Sequence, residues 1–398
     1  MPVTRNRRAG APLVRHAGVA RRAAAVCALV TALALTGAGC SGDDGKTADA
    51  KPSAPGGLDD LELPSDLESS LEGLGINLDE WKNGAWKNWD QDDWLREAED
   101  FINPVIEDLW GPERMRDADQ PPEEQVPADT GDEQGVTDPE PQRVEATEID
   151  APYRENASPV GKVFFDGPEG SMVCSGTVVA DPANPGKSNL VATAGHCVHA
   201  GKTGGWYRNV AFVPSYNDAG KPADQLENAP RDELAPLGVW WADQARTTDE
   251  WIAQGQAEGG AGAPYDFAML RVKPEDGGAA SLEETTKAAV PVWFDAPKVA
   301  DAVDVTAMGY PEAPPYDGQR IFSCAGDPGR LSIDPDQPTM YRMGCSMTAG
   351  SSGGGWFAER DGGPALVSVT SIGALNQVWL AGPHLGQEAK GVFDQVSG

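Results

Sequence analysis

Three short stretches of this chain carry side chains suited to nucleophilic acyl transfer. Gly350-Ser351-Ser352-Gly353-Gly354 sets hydroxyls among glycines, Thr193-Ala194-Gly195-His196-Cys197 sets an imidazole beside a cysteine, and Tyr265-Asp266-Phe267-Ala268-Met269-Leu270 opens an apolar run with a carboxylate. A serine hydroxyl is a poor nucleophile at neutral pH, so a neutral imidazole within hydrogen-bond reach must take its proton during attack and later return it to the leaving amine. The second ring nitrogen then needs an acceptor that fixes the tautomer and stabilises the imidazolium. Bases are few. Of four histidines, His16 lies in the basic N-terminal stretch, and only His199 and His384 compete with His196.

The elements that must position these groups lie in the last part of a chain of uneven charge. The 398 residues hold 62 acidic and 31 basic side chains, a net charge of -31. With no basic run after residue 22, the electrostatic footprint of a nucleic-acid binder is missing. Residues 1–40 hold six Arg and no acid, residues 41–150 hold 32 acids against 8 bases, and the remainder holds 30 against 17.

The basic start, the apolar run Ala23 to Leu35 and the small residues before Cys40 predict a secretory signal over residues 1–39, since 13 apolar residues are too few to span a membrane. Leu35-Thr36-Gly37-Ala38-Gly39-Cys40 resembles a bacterial lipobox, with Gly37 where leucine is usual. This predicts an exported lipoprotein carried on Cys40 at the outer face of the cell membrane, with cleavage after Ala38 as the alternative. Membrane contact is then expected only through that N-terminal lipid.

Residues 40–150 read as an acidic linker or pro-like segment, mostly disordered, because too few core-type residues are present to offset the entropy of folding. Within it, Leu78/Trp81 and Trp86/Trp89 fall at helical spacing and predict a short helix somewhere in 78–110. Such a helix could dock on the downstream domain or be a transient feature of a linker; Gly84 and Pro104 favour the second. The run from Gln120 to Pro141 reads as an extended spacer.

From residue 151 to 398, short runs such as Lys162-Val163-Phe164-Phe165, Gly176-Thr177-Val178-Val179, Leu190-Val191-Ala192-Thr193 and Ala365-Leu366-Val367-Ser368-Val369 alternate with turn residues and predict an all-β domain. Its length suits two packed barrels. Cys174, Cys197, Cys324 and Cys345 allow three disulfide connectivities. Pairing sequence neighbours closes two local loops, each worth on the order of 3 kcal/mol in the chain-entropy picture. No C-x-x-C pair suggests zinc, no Asp-rich calcium loop is present, and no metal or organic cofactor is expected.

The motifs Cys174-Ser175-Gly176-Thr177, Thr193 to Cys197, Tyr265 to Leu270 and Gly350 to Gly354, in that order, resemble those of the chymotrypsin-superfamily serine peptidases. Gly309-Tyr310-Pro311, Cys345-Ser346-Met347-Thr348 and Trp356-Phe357 are similar to the bacterial and fungal glutamyl-endopeptidase branch. The resemblance spans roughly residues 158 to 398. It implies two packed six-stranded antiparallel Greek-key barrels with the active site between them, and a secreted or surface-anchored endopeptidase acting on protein or peptide substrates. His196 would be the base, Asp266 its orienting partner and Ser352 the nucleophile, with the amides of Gly350 and Ser352 as the oxyanion hole. Ser371-Ile372-Gly373 would be the edge strand that pairs with substrate.

Ser351 stands where digestive members carry the aspartate that couples N-terminal processing to activation, so that switch is expected to be missing. Ser346 and Thr370 stand where the determinants of Lys/Arg and Glu specificity would be, which leaves a small or apolar P1 residue as the expectation. A monomer is assumed. The alternative from another class is a catalytically inactive, peptidase-like surface-binding protein.

Overall fold

The computed structural model describes residues 78–87, 101–120, 125–133, 135–256, 260–296 and 304–398. The expected leader over 1–39 and the expected lipidation site Cys40 lie outside the described residues. Two short strands, β1 (Gln125–Val126) and β2 (Thr147–Glu148), precede a run of six: β3 (Val160–Gly167), β4 (Gly170–Val179), β5 (Leu190–Thr193), β6 (Arg208–Pro214), β7 (Trp240–Thr247) and β8 (Ala268–Pro274). These six close into an antiparallel barrel in the order β3-β4-β5-β8-β7-β6, with β6 returning to β3. The Greek-key order arises because β5 pairs with β8 rather than with its sequence neighbour β6.

The second half comprises β9 (Val305–Gly309), β10 (Phe322–Gly326), β11 (Gly329–Leu331), β12 (Met340–Gly344), β13 (Gly355–Arg360), β14 (Gly363–Val369), β15 (Ile372–Ala374) and β16 (Trp379–Gly382). Its hydrogen bonds form two five-stranded sheets, β14-β13-β9-β10-β2 and β1-β15-β16-β12-β11, instead of one continuous six-stranded ring. The opening between β10 and β12 has a visible occupant. β2 pairs with β10, and the Val144 carbonyl accepts from the Ser346 amide just past β12. The Cys324–Cys345 disulfide spans the same gap, and Cys174–Cys197 ties β4 to the turn after β5. Of the three connectivities open in the sequence, the neighbour pairing is the one formed.

Within the acidic stretch before residue 151, the described residues 101–120 pack on the first barrel. Every residue of β3 is buried, which is the signature of a strand covered on both faces, and the outer cover is residues 101–120. Trp110 is fully buried against Phe164 with ring centroids 5.3 Å apart, and its indole N–H donates to the Asn209 carbonyl at 2.8 Å. The Asn103 side-chain amide bridges the Val210 and Ala242 carbonyls at 2.9 and 2.8 Å. Arg114 lies over Trp110 and donates from Nη2 to both carboxylate oxygens of Asp166 on β3, at 2.6 and 2.7 Å.

Upstream, the helix Leu78–Lys82 ends at Gly84, and Trp81 and Trp86 are buried, with Arg208 of β6 lying over Trp81 and donating to the Trp86 carbonyl. Among the described residues, this stretch lies against β6 through Arg208. Aromatic rings supply enough apolar area to offset ordering even where acids predominate. Replacing Trp110 by alanine strips this cover, and urea unfolding of Trp110→Ala is expected to read about 3–5 kcal/mol lower stability.

Candidate active site

His196 sits in a single 3-10 turn, Gly195–Cys197, that follows β5 directly, and the disulfide through Cys197 holds the turn on β4. Asp266 follows another such turn, Ala263–Tyr265, just before β8. Two adjacent threonines at the end of β7 pin its neighbours: Thr247 Oγ1 donates to the Phe267 carbonyl at 2.9 Å and Thr248 Oγ1 to the Tyr265 carbonyl at 2.6 Å. The backbone on both sides of Asp266 is thereby fixed.

Ser352 occupies the turn between β12 and β13. Gly350 and Gly353 have φ of +93° and +74°, a region that costs side-chain-bearing residues energy. A Cβ on Gly350 would lie 2.7 Å from the Tyr310 carbonyl oxygen, and one on Gly353 would lie 2.1 Å from Thr193 Oγ1. Both positions require glycine on two counts. Ser175 of β4 fastens this turn to the first barrel: its amide donates to the Ser352 carbonyl at 2.7 Å and its hydroxyl to the Gly350 carbonyl at 2.9 Å, while accepting from the Tyr310 amide at 2.9 Å. The Ser351 hydroxyl turns back to the Thr348 carbonyl at 2.7 Å, so Ser351 serves the turn and Ser352 is the other hydroxyl of the motif.

The Asp266 carboxylate is fully buried. It accepts from His196 Nδ1 at 2.7 Å, from the His196 amide at 2.9 Å and from the Ser371 hydroxyl at 2.6 Å. A carboxylate facing Nδ1 keeps the ring proton there, so Nε2 is the nitrogen that can accept a proton. The Ser371 donation is a role the sequence reading missed; Ser371 was expected only along the substrate. Its one sequence signal is a small hydroxyl at the head of the expected edge strand.

Ser352, Thr370, Ser371, Ile372 and Gly373 line one cleft, together with Met347, Thr348 and Leu380. Ser346 does not join them. It is fully buried, with its hydroxyl held between the Tyr316 hydroxyl at 2.8 Å and the Ala146 amide at 2.9 Å. The Thr370 hydroxyl accepts the Trp356 indole N–H at 3.0 Å. Every cleft-lining side chain named here is uncharged.

The competing histidines are engaged elsewhere. His384 Nε2 faces the Ala296 carbonyl at 2.9 Å. His199 is buried edge-on to Trp206 and its Nδ1 accepts the Gly201 amide at 3.0 Å. Burial lowers its pKa to about 4. Cys174, His196 and Cys197 cluster closely enough for a metal, but the two sulfurs are bonded to each other and offer no thiolate.

A Greek-key barrel followed by a second all-β half is the architecture of the chymotrypsin-like fold. Among solved structures, the chain is similar to the thermostable serine protease AL20 from an extremophilic microorganism, at 31% identity, covering 61% of this chain and 98% of that one, with a TM-score of 0.48. It is also similar to the protease Anisep from Arthrobacter nicotinovorans, at 26% identity over 63% of this chain and 98% of that one, TM-score 0.49. A Glu endopeptidase in complex with MPD matches at 16% identity, over 66% of this chain and 99% of that one, TM-score 0.44. No family model and no curated protein matches the chain. With its closed six-stranded barrel followed by a second all-β half, the chain has the chymotrypsin-like fold.

Two outcomes are expected. His199 is held neutral in the fold at about 4 against 6.5 when unfolded, so its contribution is complete above pH 6.5 and is lost as pH falls toward 4, by about 3 kcal/mol in all. Denaturation at stepped pH should show that slope in the wild type and lose it in His199→Gln. Ser371→Ala removes one donor from a buried carboxylate and should cost about 1–3 kcal/mol in unfolding free energy.

Proposed function

We propose that this chain is an exported serine endopeptidase that cleaves peptide bonds through an acyl-enzyme on Ser352. The chymotrypsin-like fold supports this reading. His196 Nε2 takes the proton of Ser352 Oγ as the hydroxyl attacks the scissile carbonyl, then delivers it to the leaving amine; water repeats the sequence to release the acid. Asp266 orients the ring and stabilises the imidazolium. The amides of Gly350 and Ser352 receive the oxyanion, and the acyl half of the substrate lies along Ser371–Gly373. A single observation carries this: the fully buried Asp266 carboxylate, 2.7 Å from His196 Nδ1, shares a cleft-side cluster with Ser371. The uncharged cleft favours a small, uncharged P1 side chain.

The leader over residues 1–39 and a lipid on Cys40 complete the proposal, placing residues 151–398 and their packed upstream segment outside the cell, where the two disulfides persist. Among the described residues no helix is long and apolar enough to cross a membrane.

A fluorophosphonate probe followed by mass mapping tests the roles. Label is expected on Ser352 and on no other serine, and it should vanish in Ser352→Ala and His196→Ala. Either variant should lower peptide turnover about 10⁴-fold or more. A folded wild-type chain that takes no label would refute the peptidase and leave a peptidase-like binding protein.

A further inference from the structure

The edge a substrate would need is already taken by the chain itself. β1 pairs with β15 in parallel, Gln125 opposite Gly373 and Val126 opposite Ala374. The Leu375 amide donates to the Val126 carbonyl at 2.9 Å. Gln125 lines the same cleft as Ser352, Thr370 and Ser371, and about 20 Å³ remains there, little more than one water needs.

β1 is held in place by more than this pairing. Val126 is buried in an apolar cluster with Leu331, Met340, Ile372 and Trp379, and the Trp379 indole N–H reaches the Ala128 carbonyl at 3.3 Å. Farther along, the Asp138 carboxylate takes a two-pronged contact from Arg330 at 2.7 and 3.0 Å, and buried Arg342 donates to the Asp138 carbonyl.

We propose that residues 125–126 are an intramolecular occupant of the substrate-binding strand, so that the full chain is a latent peptidase whose substrate must displace β1. This rests on the peptidase function proposed above. Direction matters as much as occupancy. An acyl half laid on Ser371–Gly373 with its carbonyl at Ser352 must run toward Ser371 from N- to C-terminus, antiparallel to β15. β1 runs away from Ser371, since Val126 sits opposite Ala374 and Gln125 opposite Gly373. It fills the edge without presenting a scissile carbonyl, so it blocks the site and is not cut there. An occupant tethered in the same chain competes at a fixed effective concentration, which raises the apparent KM by the inverse of the open fraction and leaves kcat alone.

The test uses the full chain with peptide amide substrates and, in parallel, a small fluorophosphonate that needs Ser352 and the imidazole but no edge strand. Val126→Asp sets a charge in the apolar cluster and should expel β1. The expected result is a KM lower by about tenfold or more, with kcat and the fluorophosphonate labelling rate unchanged. Should this variant lose label while the wild type keeps it, its fold is lost, and Gln125→Pro, which removes a backbone donor at β1, is read in its place. A labelled variant with unchanged KM overturns the proposal. Absence of label from the wild type instead overturns the peptidase function itself.

Discussion

A carboxylate taken wholly out of water must be met by donors, because an uncompensated buried charge costs several kcal/mol. Asp266 meets that demand with groups from both halves of the molecule. His196, on the first barrel, gives a ring nitrogen and a backbone amide, and Ser371, at the head of β15 in the second half, gives a hydroxyl. The two contacts from His196 lie within the first barrel, and the one from Ser371 forms only when the two halves are docked. The same contacts that solve a burial problem therefore set the tautomer and direction of the imidazole. Thr247 and Thr248 extend the constraint by fixing the carbonyls on either side of Asp266, which leaves the chain little freedom to withdraw it.

Ser175 does for the turn that carries Ser352 what Asp266 does for the imidazole. From the middle of β4 it spends its amide and its hydroxyl on the carbonyls of Ser352 and Gly350 and accepts from Tyr310. Ser351 closes the turn from within. The Ser351 side chain is neutral and bonded to its own turn, and β1 lies along the same cleft.

The upstream segment shows how an acid-rich stretch can fold. Among the described residues its carboxylates stay mostly at the surface while Trp81, Trp86, Phe101, Trp110 and Met115 turn inward. Arg114 serves twice, as a cation over Trp110 and as the partner of Asp166 on β3. Burial pushes the Asp166 carboxyl up, against the pull of Arg114 and the hydrogen bonds of Asn209 and Ser171. Residues 142–148 then thread between β10 and β12, and the second half becomes two sheets where the resemblance implied a closed ring.

Much of the site was legible in the chain because its chemistry is local. The glycines around Ser352, the cysteine beside His196 and the turn before Asp266 are short-range requirements of backbone conformation and reactivity. The continuous apolar runs of β3, β4 and β5 likewise announced buried strands. What needed the tertiary structure were contacts between residues far apart in sequence. The Ser371 hydroxyl on Asp266, the diversion of Ser346 to Tyr316 and Ala146, and the covering of β3 by Trp110 leave no periodicity behind. The fate of the acidic segment was the hardest to read, since composition measures the average cost of ordering, whereas a few rings placed in the right register decide whether that cost is met. Sequence thus determined which groups could react; the packed fold decided which of them meet and what lies across the cleft.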